Sequence, residues 1–139
     1  MNRYVLDTDT LTLLREGHRL VSERALAQPA GSVVTSVITV DEQISGWYTA
    51  LRRAKTPERV SQTYDRLART VVFLSQFPIL SYSIDAISNY EQLLRQKLGV
   101  RANDLRIAAI ALNNDDIIVT RNVADFSRVP GLRVENWAD

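Results

Sequence analysis

The sequence predicts an α/β domain of three layers, with a central, mostly parallel sheet of four or five strands between helices. Three observations carry the prediction. Short apolar runs alternate with segments of helical period along the whole chain, the pattern of strands joined by crossover helices. The run "IIVT", Ile117 to Thr120, is continuously apolar, as in a strand covered on both faces. The 139 residues make up one domain, 1–139, and no linker, repeat or low-complexity tract divides it.

The first strand is the apolar pair Val5-Leu6, which ends in Asp7, and Leu11, Leu13 and Leu14 follow at helical spacing. A second short helix is expected from His18 to Gln28, stopped by Pro29 and Gly31. The stretch "SVVTSVITV", Ser32 to Val40, is dense in β-branched residues and predicts a strand feeding a helix from Asp41 to about Ala54. Thr56-Pro57 reads as a hydroxyl cap with proline at the first helical position. The helix it opens runs to about Gln76, with Val60, Tyr64, Leu67, Val71 and Leu74 at spacings of three and four, and Pro78 ends it. "ILSYS" is the third strand, and Asp85 to Leu98 a helix closed by Gly99. Asn103 to Asn113, "NDLRIAAIALN", is a helix apolar enough to be largely buried. After "IIVT" the tail holds a loop, one helical turn and a last strand around Leu132 to Asn136.

Composition excludes several function classes. The chain has no cysteine, which removes disulfides and thiolate-bound zinc. Charges at Arg3 and Asp7 interrupt any signal-peptide core, and no segment approaches the about 20 apolar residues of a membrane span. A cytoplasmic protein is expected. A formal net charge of +1 leaves any polyanion contact to local clusters of arginine. Neither a Gly-x-Ser-x-Gly elbow nor a glycine-rich phosphate cradle is present. His18, the one histidine, reads as a surface residue at a helix end.

In a parallel sheet the functional crevice lies beyond the carboxyl ends of the strands. Asp7 and Asp9 follow the first strand, Glu42 the second, and Asp125 the "IIVT" strand, while Asp104 opens the alanine-rich helix. Singly, each has a simpler explanation. Asp7 or Asp9 can cap a helix, Thr39 and Glu42 match a capping box, and Asp104 suits the positive end of its helix. Together, carboxylates drawn from separate elements to one edge repel unless a cation is present. Without cysteine the donor set is hard oxygen, which suits Mg2+ or Mn2+ and the hydrolysis of phosphodiesters.

The segments "YVLDTDTLTLL", "SVITVDEQISGW", "NDLRIAAIAL" and "IIVTRNVADFSRVPGL" occur in this order. Together they resemble the PIN-domain ribonucleases, most closely the VapC toxins of bacterial toxin–antitoxin pairs. The resemblance implies a PIN-like fold in which Asp7 and Asp104 hold Mg2+ or Mn2+, and Glu42, ahead of Gly46, completes the acidic site. The family's fourth acidic position falls at Asn122, where the next acid is Asp125. Asn122 then orients water or ligand and Asp125 supplies charge. At Asp9 the resemblance implies a bracing role beside the metal. Asp41 points about 100° away from Glu42 around the helix, toward solvent.

The resemblance further implies an endoribonuclease that uses a metal-activated water and leaves a 5′-phosphate. It also implies a cognate antitoxin and a homodimer. Arg121, after "IIVT", borders the crevice and matches a phosphate bidentately. Arg52, Arg53, Lys55, Arg59, Arg66 and Arg69 form either a solvated helix face or a groove for RNA. Trp47, Tyr48 and Tyr64 stack on bases, form a protein interface or pack in the interior. The alternatives are a structure-specific DNA nuclease or phosphatase using the same carboxylates, and a PIN-like module that binds RNA or protein without cutting it.

Overall fold

The computed structural model describes Met1–Asp139. The elements run β1 (Tyr4–Leu6), α1 (Thr8–Arg15), α2 (Arg19–Leu26), β2 (Val33–Ser36), α3 (Val37–Arg53), α4 (Pro57–Leu74), β3 (Ile79–Leu80), α5 (Ile84–Arg95), α6 (Ala102–Asn114), β4 (Ile117–Val119), α7 (Val123–Phe126) and β5 (Arg133–Glu135). The five strands form one sheet in the order β3-β2-β1-β4-β5, and every neighbouring pair is parallel. The expected α/β sheet is therefore present, with five strands.

Side-chain alternation divides the core between the two faces of the sheet. Val5, Val34 and Ile118 point to one face and pack with Leu93 of α5, Ile107 and Ile110 of α6, and Phe126. Leu6 and Val119, one residue further along their strands, point to the other face and meet Leu11, Val21, Leu74 and Trp137. In α6 the five residues Ile107 to Ala111 are all at 0% exposure, and its alanines suit a close approach to a neighbouring layer. Phe126 is also fully buried, and truncating such a side chain to alanine costs about 3–5 kcal/mol.

Four local expectations are corrected. The strand expected over Ser32 to Val40 stops at Ser36, and "VITV" begins α3. Ser36 Oγ accepts from Thr39 N at 3.2 Å and caps the helix, so its β-branched first turn is held by the cap and by burial of Ile38 and Thr39. The capping box of Thr39 and Glu42 is consequently not formed, and the Glu42 side chain turns elsewhere. The third strand is only Ile79–Leu80, because Ser83 already caps α5 through Ala86 N at 3.1 Å. Along α4 the inward face is Val60, Thr63, Leu67, Thr70 and Leu74, while Tyr64 and Val71 are 57% and 51% exposed. The Thr56 cap is as expected, with Thr56 Oγ1 accepting from Arg59 N at 3.2 Å.

β1 lies at the centre of the sheet. The chain builds outward from it to β2 and β3, then crosses back to β4 on its other side. Ligands bind at such a reversal, outside the carboxyl ends of the two central strands. Asp7 follows one of those strands and Thr120 the other.

Candidate active site

Asp7 N donates to Val119 O at 3.1 Å, carrying the β1–β4 ladder one residue beyond β1. The chain then turns into α1 and Asp7 becomes its N-cap, with Oδ1 accepting from Thr10 N at 2.8 Å. Oδ2 accepts from Thr120 Oγ1 at 2.6 Å. Thr120 Oγ1 in turn accepts from Asn122 N at 2.9 Å, so the turn after β4 aims the hydroxyl at Asp7. Asp7 is only 5% exposed. Burial pushes its carboxyl above the ordinary aspartate value, against the lowering effect of the Thr120 and Thr10 hydrogen bonds, and nearby Asp9 adds to the rise. Both of its partners are neutral. Each oxygen keeps a further lone pair for an electrophile or a cation.

Glu42 and Asp104 arrive from α3 and from the first turn of α6. Thr8 Oγ1 donates to Glu42 Oε1 at 2.7 Å, which leaves the 3.1 Å Thr39–Thr8 contact to be donated by Thr39. Arg101 spans the two acids, with Nη1 donating to Glu42 Oε2 and Nη2 to Asp104 Oδ1, each at 3.0 Å. The carboxylates are 15% and 14% exposed and the guanidinium 59%. The hydrogen bond to Asp104 is the main cause of a further rise in the already high Arg101 pKa.

Asp7, Thr8, Asp9, Arg101, Asp104, Arg121 and Asn122 line one cleft of about 380 Å³. Glu42 joins it through Thr8 and Arg101. Arg121 grips Asp9 through Nε at 2.7 Å and Nη2 at 3.0 Å, an exposed pair at the cleft's edge. Asp125 is outside the lining. Its carboxylate accepts from Asn122 Nδ2 at 2.9 Å and pairs with Arg128 at 3.2 Å. His18 caps α2 by accepting from Val21 N at 3.3 Å. Asp41 is exposed and accepts from Ser45 Oγ at 3.1 Å.

The sequence therefore brings Asp7, Asp9, Asp104, Arg121 and Asn122 to one cleft, with Glu42 at its wall and Asp125 one step behind Asn122. Thr8, Thr120 and the bridging role of Arg101 went unforeseen. The alternation of acid and hydroxyl in "LDTDT" was the signal for Thr8, and the threonine closing "IIVT" was the signal for Thr120. No three acidic or histidine side chains converge as a ready ligand set, and Arg101 is the cation beside Glu42 and Asp104. By chemistry the donors are hard oxygen, suited to a divalent cation of the magnesium type.

The PIN domain family matches residues 4–132. Ribonuclease VapC2 of Haemophilus influenzae is 31% identical over 141 residues, covering 99% of both chains. The tRNA(fMet)-specific endonuclease VapC of Salmonella typhimurium is 29% identical over 142 residues, again covering 99% of both. Among solved structures, the DNA-bound VapBC of Salmonella typhimurium aligns with TM-score 0.78 and 27% identity over 99% of each chain. VapBC2 of Rickettsia felis, bound to a DNA fragment from its promoter, aligns with TM-score 0.69 and 27% identity over 96% of this chain and 98% of that one.

Proposed function

The chain belongs to the PIN domain family, and from that premise we propose that it is a Mg2+- or Mn2+-dependent endoribonuclease, the toxin of a toxin–antitoxin pair. The observation that carries the proposal is Asp7. It is a buried carboxylate at the reversal point of the sheet, held by two neutral donors, with no cationic partner and Asp104 on the same cleft. Nothing in a merely structural helix cap requires that arrangement, because an exposed aspartate caps as well.

Asp7 and Asp104 would hold the ion, with Glu42 completing the site, and the bound ion would supply a water of lowered pKa for attack on phosphorus. Thr120 fixes the rotamer of Asp7 through its 2.6 Å hydrogen bond, and Thr8 does the same for Glu42 at 2.7 Å. Asn122 presents its amide at the cleft and is steadied by Asp125. Arg121 reaches a phosphate of the substrate by exchanging Asp9 for it, a trade between two bidentate anions. Arg101 would have to release Glu42 and Asp104 for these carboxylates to hold the ion.

The ribonuclease relatives, one of them a tRNA(fMet)-specific endonuclease, support an RNA substrate. The VapBC complexes support a cognate antitoxin as partner. A homodimer and a cytoplasmic site of action complete the proposal; no helix is long and apolar enough to cross a membrane. A second reading, a module that binds without cutting, is favoured by two observations. Arg101 already neutralises Glu42 and Asp104, and asparagine stands at position 122.

Incubation with single-stranded RNA, structured RNA and DNA in Mg2+, Mn2+ or EDTA separates these readings. The proposal expects RNA to be cut only with metal. Cleavage of DNA alone would support the rival nuclease, and no cleavage together with no calorimetric binding of Mn2+ would support the non-cleaving module.

A further inference from the structure

A second cleft of about 310 Å³ adjoins the acidic one, sharing Thr8 with it and bordered by Glu42, Gly46, Trp47 and Arg15. Its far end is built from a closed polar network. Arg15 Nη1 donates to Gln43 Oε1 at 3.1 Å and to Thr70 Oγ1 at 3.2 Å. Gln43 Nε2 donates to Thr12 Oγ1 at 3.0 Å, and Trp47 Nε1 donates to Thr70 Oγ1 at 2.7 Å. The two threonine hydroxyls pass their own protons to backbone carbonyls, Thr12 to Thr8 O at 3.0 Å and Thr70 to Arg66 O at 2.8 Å. Every polar side-chain atom of the network is thereby used, except on Arg15.

A guanidinium carries five N–H donors. Arg15 commits the two on Nη1 and leaves the Nε–Nη2 edge without a partner in the protein. That edge is the fork that grips an oxyanion bidentately. Elsewhere in this chain it does so, in Arg3 on Asp116 at 3.0 and 2.7 Å and in Arg121 on Asp9 at 2.7 and 3.0 Å. Arg15 forms no ion pair, although it is half-buried. Gln43 and Thr70 hold it from neutral oxygens on two different helices, which orients the fork without neutralising it.

We propose that the Nε–Nη2 edge of Arg15 is a phosphate-binding subsite for the RNA strand, taking a phosphodiester that flanks the one cut between Asp7 and Asp104. The inference rests on the ribonuclease reading above and adds to it where the strand leaves the acidic cleft. The path runs over Thr8 and Gly46, whose lack of a side chain leaves open space beside Trp47. It continues to Arg66 and Arg69, which line a further cleft together with Arg15 and Trp47. Anionic phosphodiesters fit this sequence of cations. Arg15 is a binding residue here, outside the lining of the acidic cleft.

The test is fluorescence anisotropy of a short, labelled, single-stranded RNA of mixed sequence in EDTA, so that it is bound and not cut, over a series of salt concentrations. Arg15→Gln is expected to weaken binding about tenfold, the size of one charge-assisted pair, and to lower the slope of log K against log salt by about one. Arg15→Lys keeps the charge and should restore the slope while recovering only part of the affinity. An RNA with one uncharged methylphosphonate linkage, moved stepwise along the strand, should lose affinity for the unaltered protein at one flanking position and lose nothing there for Arg15→Gln.

Thermal midpoints of the variants register any loosening of the network, which by itself leaves the salt slope unchanged. An unchanged slope and affinity in Arg15→Gln, while the unaltered protein binds and cuts RNA, would overturn this subsite and leave the ribonuclease reading standing. Failure of the unaltered protein to bind RNA would overturn both. Arg15-dependent binding of an acidic peptide, with RNA binding unaffected, would likewise overturn it and assign the fork to a protein partner.

Discussion

Arg101 Nη1 donates to Glu42 Oε2 at 3.0 Å, joining α3 to the start of α6 across 59 positions of sequence. The same guanidinium holds Asp104, so one side chain supplies the positive charge for two of the three acids proposed to form the metal site. Arg101→Ala is therefore expected to raise the calorimetric affinity for Mn2+. Because the guanidinium is 59% exposed, the loss of its ion pairs should cost at most about 1 kcal/mol of metal-free stability. Weaker Mn2+ binding in this variant would show that Arg101 assists the ion instead of competing with it.

Asp7 makes a separate prediction about pH. Its folded-state pKa lies above the ordinary aspartate value of 3.8, first because of burial, so the native chain binds more protons than the unfolded chain between those two values. The contribution of Asp7 to stability is thus present below 3.8 and lost as pH rises through the raised folded value. The thermal midpoint of the metal-free protein should fall over that window relative to Asp7→Asn, which keeps the cap and stays neutral. Added Mn2+ should reverse the fall in the parent protein and leave Asp7→Asn unmoved. Identical pH profiles for the two metal-free proteins would contradict the assignment.

Asp9 and Arg121 form an exposed bidentate pair at the edge of the same cleft. Asp9→Asn frees the guanidinium and removes one negative charge near the substrate path. RNA should bind more tightly, with a salt slope steeper by about one, while Mn2+ affinity stays within a few-fold of the parent. A loss of Mn2+ binding as complete as that of Asp7→Asn would make Asp9 a ligand in its own right.

The Ser36 cap sets the start of α3 and so the height at which Glu42 stands. Ser36→Ala should cost about 1 kcal/mol in urea unfolding, and the freed first turn should also lower Mn2+ affinity. A stability loss with no change in metal affinity would separate the cap from the placement of Glu42.

The sheet was legible because its strands are short apolar runs between helices of clear period, and "NDLRIAAIAL" shows how plainly a buried helix declares itself. The start of α3 was not. "VITV" has the β-branched composition of a strand, and its helical state follows from the Ser36 cap and from burial, which override propensity. At the site, position after a strand or at a helix start nominated Asp7, Asp9, Glu42, Asp104 and Asp125 alike, and the family resemblance is what singled out Asp7 and Asp104. Ion-pair choice was hidden where Arg101 meets Glu42 and Arg121 meets Asp9 across long stretches of chain, which spacing does not encode, whereas the Arg101–Asp104 pair lies three residues apart. Trp47 was expected to stack on bases, form a protein interface or pack. Its indole N–H is tied to Thr70, which also accepts from Arg15, a contact that spacing did not announce.

The most direct test of the central claim compares RNA cleavage by the parent protein and by Asp104→Asn as Mn2+ is raised from zero in the presence of a chelator. Cleavage by the parent should appear with free metal and saturate. A loss of at least about a hundredfold is expected in Asp104→Asn, with an unchanged far-ultraviolet spectrum. An Asp104→Asn protein that still cuts RNA with all metal chelated would contradict the claim.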